Sequence, residues 1–575
     1  MTFTGELVKS AEAVNGSLWL SALVALIPIL FFFWALAIKK MKGYKAGIST
    51  LLIAMVLSIF LFKMPVMMAV MVASKGALYG FLPIGWIILN SVFLYKLTVK
   101  TGQFEIIKNS ILSITEDRRL QVVLVAFSFG AFLEGAAGFG APVAITAALL
   151  IGLGFKPLYA AGLCLIANTA PVAFGALGAP IIAFGNFGYD VGHISQIIGR
   201  QLPFLSVFIP IYIVIVMVGF KKTKEVMPAL LVAGGSFALV QYFSTNFMGP
   251  ELPDVVSSIA SIVCLVLFLK VWKPKNIYRF EDEGTVKAAS VASRPSYTGG
   301  QILKAWSPFI ILTGMVTVWG LPNVKLALGG NYVATMTAKN LPVVPFYETL
   351  DHIGHAFKFL ADVPFVSGDL FKMVNGVKTA EVFQYKVEFL AAAGTAILFS
   401  AVISKFILGI SWADFCKTFG QTLKEVALPL VTIMSVVAYS DVANQSGMML
   451  ALGSTLAATG AAFKFLSPVL GWLGVFVTGS DTSANLLFGG VQYNTAVQVG
   501  MDPFLALAAN ASGGVTGKMI SPQSIAVACA AVGLSGKESD LLRFTLKHSF
   551  YLLLVICVIV WLQTNVLSWM LPVLK

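Results

Sequence analysis

Apolar residues run through this chain in nearly uninterrupted blocks of about 20, the length that crosses a ~30 Å hydrocarbon core. The pattern predicts twelve crossings, at about 17–38, 46–62, 82–100, 157–181, 200–219, 227–243, 252–270, 304–320, 387–404, 427–444, 503–525 and 545–571. Two polar segments, 271–303 and 321–386, and two Gly-rich apolar stretches, 121–153 and 466–498, lie between them. The first block is too long for the apolar region of a signal peptide, and Lys39, Lys40, Lys42 and Lys45 follow it, so it reads as a retained span.

Composition agrees. Of 575 residues, 58% are hydrophobic and 11% charged, whereas a soluble chain carries about 25% charged residues. The net charge of +13 points to the lipid bilayer and not to nucleic acid, because multi-pass proteins concentrate Lys and Arg in cytoplasmic loops. Lys221, Lys222 and Lys224, with Lys270, Lys273, Lys275 and Arg279, mark one face, and the loop 245–254 carries only Glu251 and Asp254. The segments 39–45, 101–120, 221–224 and 271–303 are therefore placed in the cytoplasm and 321–386 outside. The five cysteines are scattered and read as small core residues, with neither a disulfide nor a metal set. There is no H-E-x-x-H, C-x-x-C or nucleotide-binding Gly loop, so the sequence predicts no enzyme, no cofactor and no metal.

An internal repeat organises the chain. Leu82-Pro83 recurs as Leu428-Pro429, Thr101-Gly102 as Ser446-Gly447, and Phe132-Leu133-Glu134-Gly135 as Phe476-Val477-Thr478-Gly479. Gly154-x-x-Pro157 recurs as Gly500-x-x-Pro503, and Ala167-Asn168 with Gly175 and Pro180 recurs as Ala509-Asn510 with Gly517 and Pro522. Five matches in one order, at shifts of 342 to 346 residues, are not a product of composition. Each copy reads as a crossing, a surface helix (Gln103 to Gln121 in the first), a Gly-rich hairpin and a broken crossing. Seven crossings separate the hairpins, so they enter from opposite faces. The expected fold is an all-α integral membrane protein of about twelve transmembrane helices with two opposed re-entrant hairpins in an inverted repeat, the layout of secondary transporters. Its parts are 1–226, with hairpin 121–153 and broken helix 157–181; a connecting helix pair and cytoplasmic loop, 227–303; and 304–575, with outer loop 321–386, hairpin 466–498 and broken helix 503–525.

Irregular backbone at membrane depth survives only where it is buried in protein or lines a polar cavity. Both tips break a helix with glycines and begin a new one with good N-terminal chemistry. The first holds Glu134, Gly135, Gly138, Gly140 and Pro142; the second holds Ser480, Asp481, Thr482 and Ser483. Half-helix N-termini suit a small anion. Asn168, Thr169 and Asn510 add polar groups in the broken crossings, and Lys518 adds a charge. Close helix packing alone explains Gly135 and Gly138, but not Ser-Asp-Thr-Ser inside an apolar stretch. Embedded ionisable groups mark a pathway or a pairing site. The substrate-binding set is Gly135, Gly138, Gly140, Asn168, Thr169, Ser480, Thr482, Ser483, Asn510 and Lys518, and the proton-coupling set is Glu134, Asp481 and His548. Lys518 is expected to face the cavity, contacting a substrate carboxylate or holding Asp481 ionised. Lys75 and Asp441 read as interfacial.

The run Phe129 to Pro142, with Ala167-Asn168-Thr169-Ala170-Pro171 and Thr478-Gly479-Ser480-Asp481-Thr482-Ser483, resembles the bacterial L-lactate permease family over nearly the whole chain. The resemblance implies proton-coupled uptake of 2-hydroxymonocarboxylate anions (L-lactate, D-lactate, glycolate) across the bacterial inner membrane. The layout also resembles the ion transporter superfamily, which implies a mobile transport domain, commonly in a homodimer. A sodium-coupled carboxylate carrier is the alternative within this class. A membrane enzyme or respiratory-complex subunit is the alternative outside it.

Overall fold

The computed structural model describes residues 2–573 apart from 137, 139–140, 281–296, 375–376 and 535–536. Helices α1 (Leu18–Phe33), α2 (Gly43–Phe60), α3 (Val66–Tyr79), α4 (Trp86–Lys100) and α5 (Gln103–Leu112) lead into α6 (Arg118–Ala136), whose middle, Val123–Phe129, is wound as a π-helix. Next come α7 (Pro142–Gly152), α8 (Pro157–Ala167), α9 (Val172–Phe187), α10 (Val191–Ile198), α11 (Leu202–Lys224), α12 (Met227–Phe247), α13 (Pro253–Val271) and α14 (Gly299–Gly320). The outer segment holds α15 (Pro322–Leu328), α16 (Tyr332–Ala338) and α17 (Pro345–Ala356). The last part holds α18 (Ala393–Leu408), α19 (Trp412–Ser446), α20 (Met448–Ala457), α21 (Ala462–Thr478), α22 (Asp481–Val499), α23 (Pro503–Lys518), α24 (Pro522–Ala531) and α25 (Glu538–Thr564).

Among the described residues, ten helices are long and apolar enough to cross a membrane, or eleven if α8 and α9, bent by 66°, count as one broken span. The all-α membrane class holds, and the element list differs from the sequence reading in three places. Val66–Tyr79, left out of the predicted crossings, is helical and joins α4 in one apolar stretch, with non-helical backbone at Leu82. The predicted surface helix Gln103–Gln121 ends at Leu112, because Asp117 accepts a bond from the Arg119 N–H and caps a new helix there. The chain also contains strands, one near the amino terminus and four after α17: β1 (Leu7–Val8), β2 (Lys358–Asp362), β3 (Leu370–Val374), β4 (Val377–Ala380) and β5 (Gln384–Glu388). They form two small sheets, β1-β3-β4 and β2-β5, with β1 parallel to β3 and the other pairs antiparallel.

A buried cationic clasp ties three parts of the basic face. The Arg119 guanidinium, about 1% exposed, donates to Asp117, to Glu225 Oε2 (2.8 Å) and to the carbonyls of Lys222 (2.8 Å) and Asn276 (2.7 Å). It thereby joins the start of α6, the end of α11 and the chain beyond α13. Arg119→Ala strands the buried Asp117, and breaking such a buried pair costs about 3–5 kcal/mol. A detergent melt of the purified variant is expected to show a markedly lower midpoint, while the exposed pair Arg279–Glu116 tolerates Arg279→Ala with little change.

Candidate functional site

Two breaks and one turn assemble the site. The chain leaves α8 at Asn168 and turns left-handed at Ala176 (φ 45°), Leu177 (φ 53°) and Gly178 (φ 76°). Two non-glycine residues in that region cost on the order of 1–3 kcal/mol each and persist only when surrounding structure holds them. The turn is held on both sides. Ala176 abuts Gly138, and Gly178 lies against the Pro250 carbonyl. Between α21 and α22, Gly479 (φ 68°) ends one helix and Ser480 caps the next, its hydroxyl accepting from the Ser483 N–H at 3.2 Å. The second broken crossing stops at Lys518 and restarts at Pro522, with Ser521 as its cap.

At their meeting point Lys518 Nζ donates to Glu134 Oε1 at 2.6 Å, and Asn168 Nδ2 donates to Oε2 at 3.3 Å. Glu134 is 2% and Lys518 9% exposed. The pair needs a glycine opposite, since a Cβ at Gly175 would come within 2.7 Å of Glu134 Oε1. Glu134, Gly138, Ser480, Asp481, Thr482, Ser483 and Lys518 all line one cavity of about 940 Å³. Lys40, Lys42, Tyr44 and Glu538 line it too, so it opens on the Lys-rich face that the charge rule assigns to the cytoplasm. Asp481 is buried, and neither carboxylate oxygen has a hydrogen-bond partner of ordinary geometry, although Asn485 and Lys518 are its interacting polar neighbours.

The family model for L-lactate permease matches residues 21–567. An L-lactate permease of Bacillus subtilis (strain 168) is 60% identical over 565 residues, spanning 97% of this chain and 98% of that one. The chain belongs to the L-lactate permease family. An L-lactate permease and the glycolate permease GlcA, both of Escherichia coli (strain K12), are each 52% identical, again covering 97% of this chain and 98% of theirs.

Not every residue expected of this permease reaches the cavity. Gly135 is buried against Asp254, just beyond the ion pair. Thr169 is buried with an unpartnered hydroxyl. Asn510 serves packing: it donates to Asn485 Oδ1 (2.9 Å) and accepts from Gln492 (3.0 Å), apart from the cavity lining. His548 sits well inside α25, its Nδ1 2.6 Å from the Tyr212 hydroxyl and its Nε2 buried without a partner, and it does not line the cavity. Gly140 lies outside the described residues. Lys518 faces the cavity as expected, but its ion-pair partner is Glu134 and not Asp481.

Two acids were misread from sequence. Asp441 is not interfacial: it is buried, accepts from Lys75 Nζ at 3.1 Å and from Asn186 Nδ2 at 2.6 Å, and so neutralises Lys75 inside the fold. Asp254, read at the junction of the loop 245–254 and the crossing 252–270 and given no role, opens α13 and is 1% exposed. Its signal in sequence was an acid directly after the Leu252-Pro253 helix start, which also describes ordinary N-terminal acids.

Proposed function

We propose that this permease carries L-lactate and related 2-hydroxymonocarboxylates, glycolate and D-lactate among them, into the cell by proton symport across the bacterial inner membrane. The observation that carries the reading is the buried Glu134–Lys518 pair on the wall of the cavity, beside the Ser480–Ser483 turn. A carboxylate leaving water needs compensating charge and donors. Lys518 is a cation on the cavity wall, and Glu134 already occupies it. Protonating Glu134 removes that competitor and frees the ammonium for the substrate carboxylate, with Ser480, Thr482 and Ser483 hydroxyls near for the 2-hydroxyl. Anion binding and proton binding thus favour each other, the linkage that symport needs. The reverse holds for release: proton loss from Glu134 recaptures Lys518 and expels the anion.

The test is uptake of labelled L-lactate by proteoliposomes under an imposed pH gradient, with sodium present or absent. Accumulation is expected to collapse with a protonophore and to be indifferent to sodium, with glycolate competing. Accumulation that follows sodium and ignores the protonophore sinks the proton reading.

A further inference from the structure

A second cavity, of about 1060 Å³, lies on the other side and is lined by Asn186, Gly249, Pro250, Glu251, Lys325 and Glu381 among others. Glu134 lines the cytoplasmic cavity and Glu251 the outer one, while Asp254 lines neither. Asp254 lies three residues after Glu251 and packs against Gly135, the neighbour of Glu134. Both of its oxygens are buried and without a hydrogen-bond partner, and a Cβ on Gly135 would come 2.6 Å from its Cβ, which sets it against the residue after Glu134.

The charges around it are few. Glu134 from α6 and Lys518 from α23 act on Asp254 electrostatically. The other helices packed on α13 are α12 and α9, and neither contains Asp, Glu, Lys, Arg or His. Arg118 and Arg119 stand at the far end of α6 and Lys270 at the far end of α13. The outer approach carries Glu251, whose carboxyl burial pushes upward with Lys325 opposing. An ionised carboxylate with no partner in such a place is strongly disfavoured, and the one nearby ammonium is held by Glu134. Structural acids in protein interiors are hydrogen-bonded; this one is not.

Resting on the symport reading above, we propose that Asp254 is the proton relay of the transporter. It receives a proton that enters from the outer cavity past Glu251, three residues earlier, and passes it to Glu134, which releases Lys518 for the anion. One O–H bond forms at Asp254 as one breaks in a hydronium ion of the outer cavity, leaving neutral water, and the same exchange then occurs between Asp254 and Glu134. The relay also separates the two routes: the proton passes through a side chain, while the substrate anion needs the protein between the two cavities to open.

The experiment compares wild type, Asp254→Asn, Asp254→Glu and Ser257→Ala in proteoliposomes. Two assays are run on each: pH-gradient-driven accumulation, and lactate–lactate counterflow without a gradient. Asp254→Asn is expected to lose accumulation to the level of protonophore-treated wild type while still exchanging lactate; Asp254→Glu regains part of it and Ser257→Ala behaves as wild type. Wild-type accumulation by folded Asp254→Asn overturns the relay. So does equal loss of exchange and accumulation, which assigns Asp254 to binding or packing. The wild-type protonophore control judges symport itself, so its failure is told apart from failure of the relay. Should Asp254→Asn not fold, infrared spectra decide. The carbonyl stretch of a protonated buried acid in wild type must shift in Asp254→Glu, and an unshifted or absent band overturns the proposal.

Discussion

Lys518→Met is expected to abolish lactate accumulation and to weaken lactate binding by about 30- to 5,000-fold, the equivalent of roughly 2–5 kcal/mol for truncating one member of a buried charge pair. Two losses add. The substrate carboxylate loses the cation that Lys518 presents on the cavity wall, and Glu134, at 2% exposure, is left buried with the Asn168 amide to donate to it. The second loss predicts a compensating change. Glu134→Gln in the Lys518→Met background removes the stranded charge, so the double variant is expected to recover thermal stability relative to Lys518→Met without recovering transport. Calorimetric titration with L-lactate and a detergent melt on wild type and both variants measure both quantities. A Lys518→Met protein that binds lactate normally shows that the ammonium only packs the broken crossing.

Gly471→Ala is the second large effect, and it acts on stability. A Cβ there would run into the Asn510 carbonyl, 2.6 Å from its carbon and 2.9 Å from the Asn510 Cα. Gly513 and Gly517 on α23 press in the same way on the Pro468 and Trp472 carbonyls of α21. Backbone meets backbone along this contact, so no flexible side chain can give way. Overpacking of this kind costs about 1–3 kcal/mol or more. It also pushes on Asn510, which holds Asn485 and Gln492. Gly235→Ala is the control: it lies inside α12 with open space where its Cβ would go, and the better helix propensity makes it neutral or slightly stabilising. Melting curves that rank the two variants equally contradict the backbone contact.

Much of this arrangement was legible in the sequence because apolar periodicity, glycine breaks and embedded charges each have one dominant physical reading in a bilayer. Glu134, Asp481, Lys518 and the Ser480–Ser483 cap were all marked by being polar where polarity is expensive, and one cavity gathers them. Their pairing was hidden, since Glu134 and Lys518 lie 384 residues apart and nothing local links them. The misreadings share a cause. Lys75 and Asp441 looked like ends of crossings because an unpaired charge usually sits at an interface, and only the folded chain supplies each with its partner. Asp254 escaped because the first turn of a helix is an unremarkable place for an acid. His548 and Asn510 are also polar in apolar company, but they stand off the cavity, bonded to Tyr212 in one case and to Asn485 with Gln492 in the other. Polarity at depth announces a constraint, and the neighbours decide whether it is chemical or structural.

The parallel pairing of β1 with β3, Leu7 against Leu370 and Val8 against Phe371, sets an order on biogenesis. On the orientation that the charge rule assigns, the amino-terminal strand belongs on the outer side, and its mate is made about 360 residues later. At ~5–20 residues per second the tail waits tens of seconds, exposed, while the whole first half of the chain inserts. Closure of this small sheet is therefore a late event, a latch drawn only after both halves have been delivered to the membrane. A bulky fusion ahead of Leu7 would have to cross the bilayer first and then stay clear of the latch. A tag at the other terminus faces neither demand from this sheet.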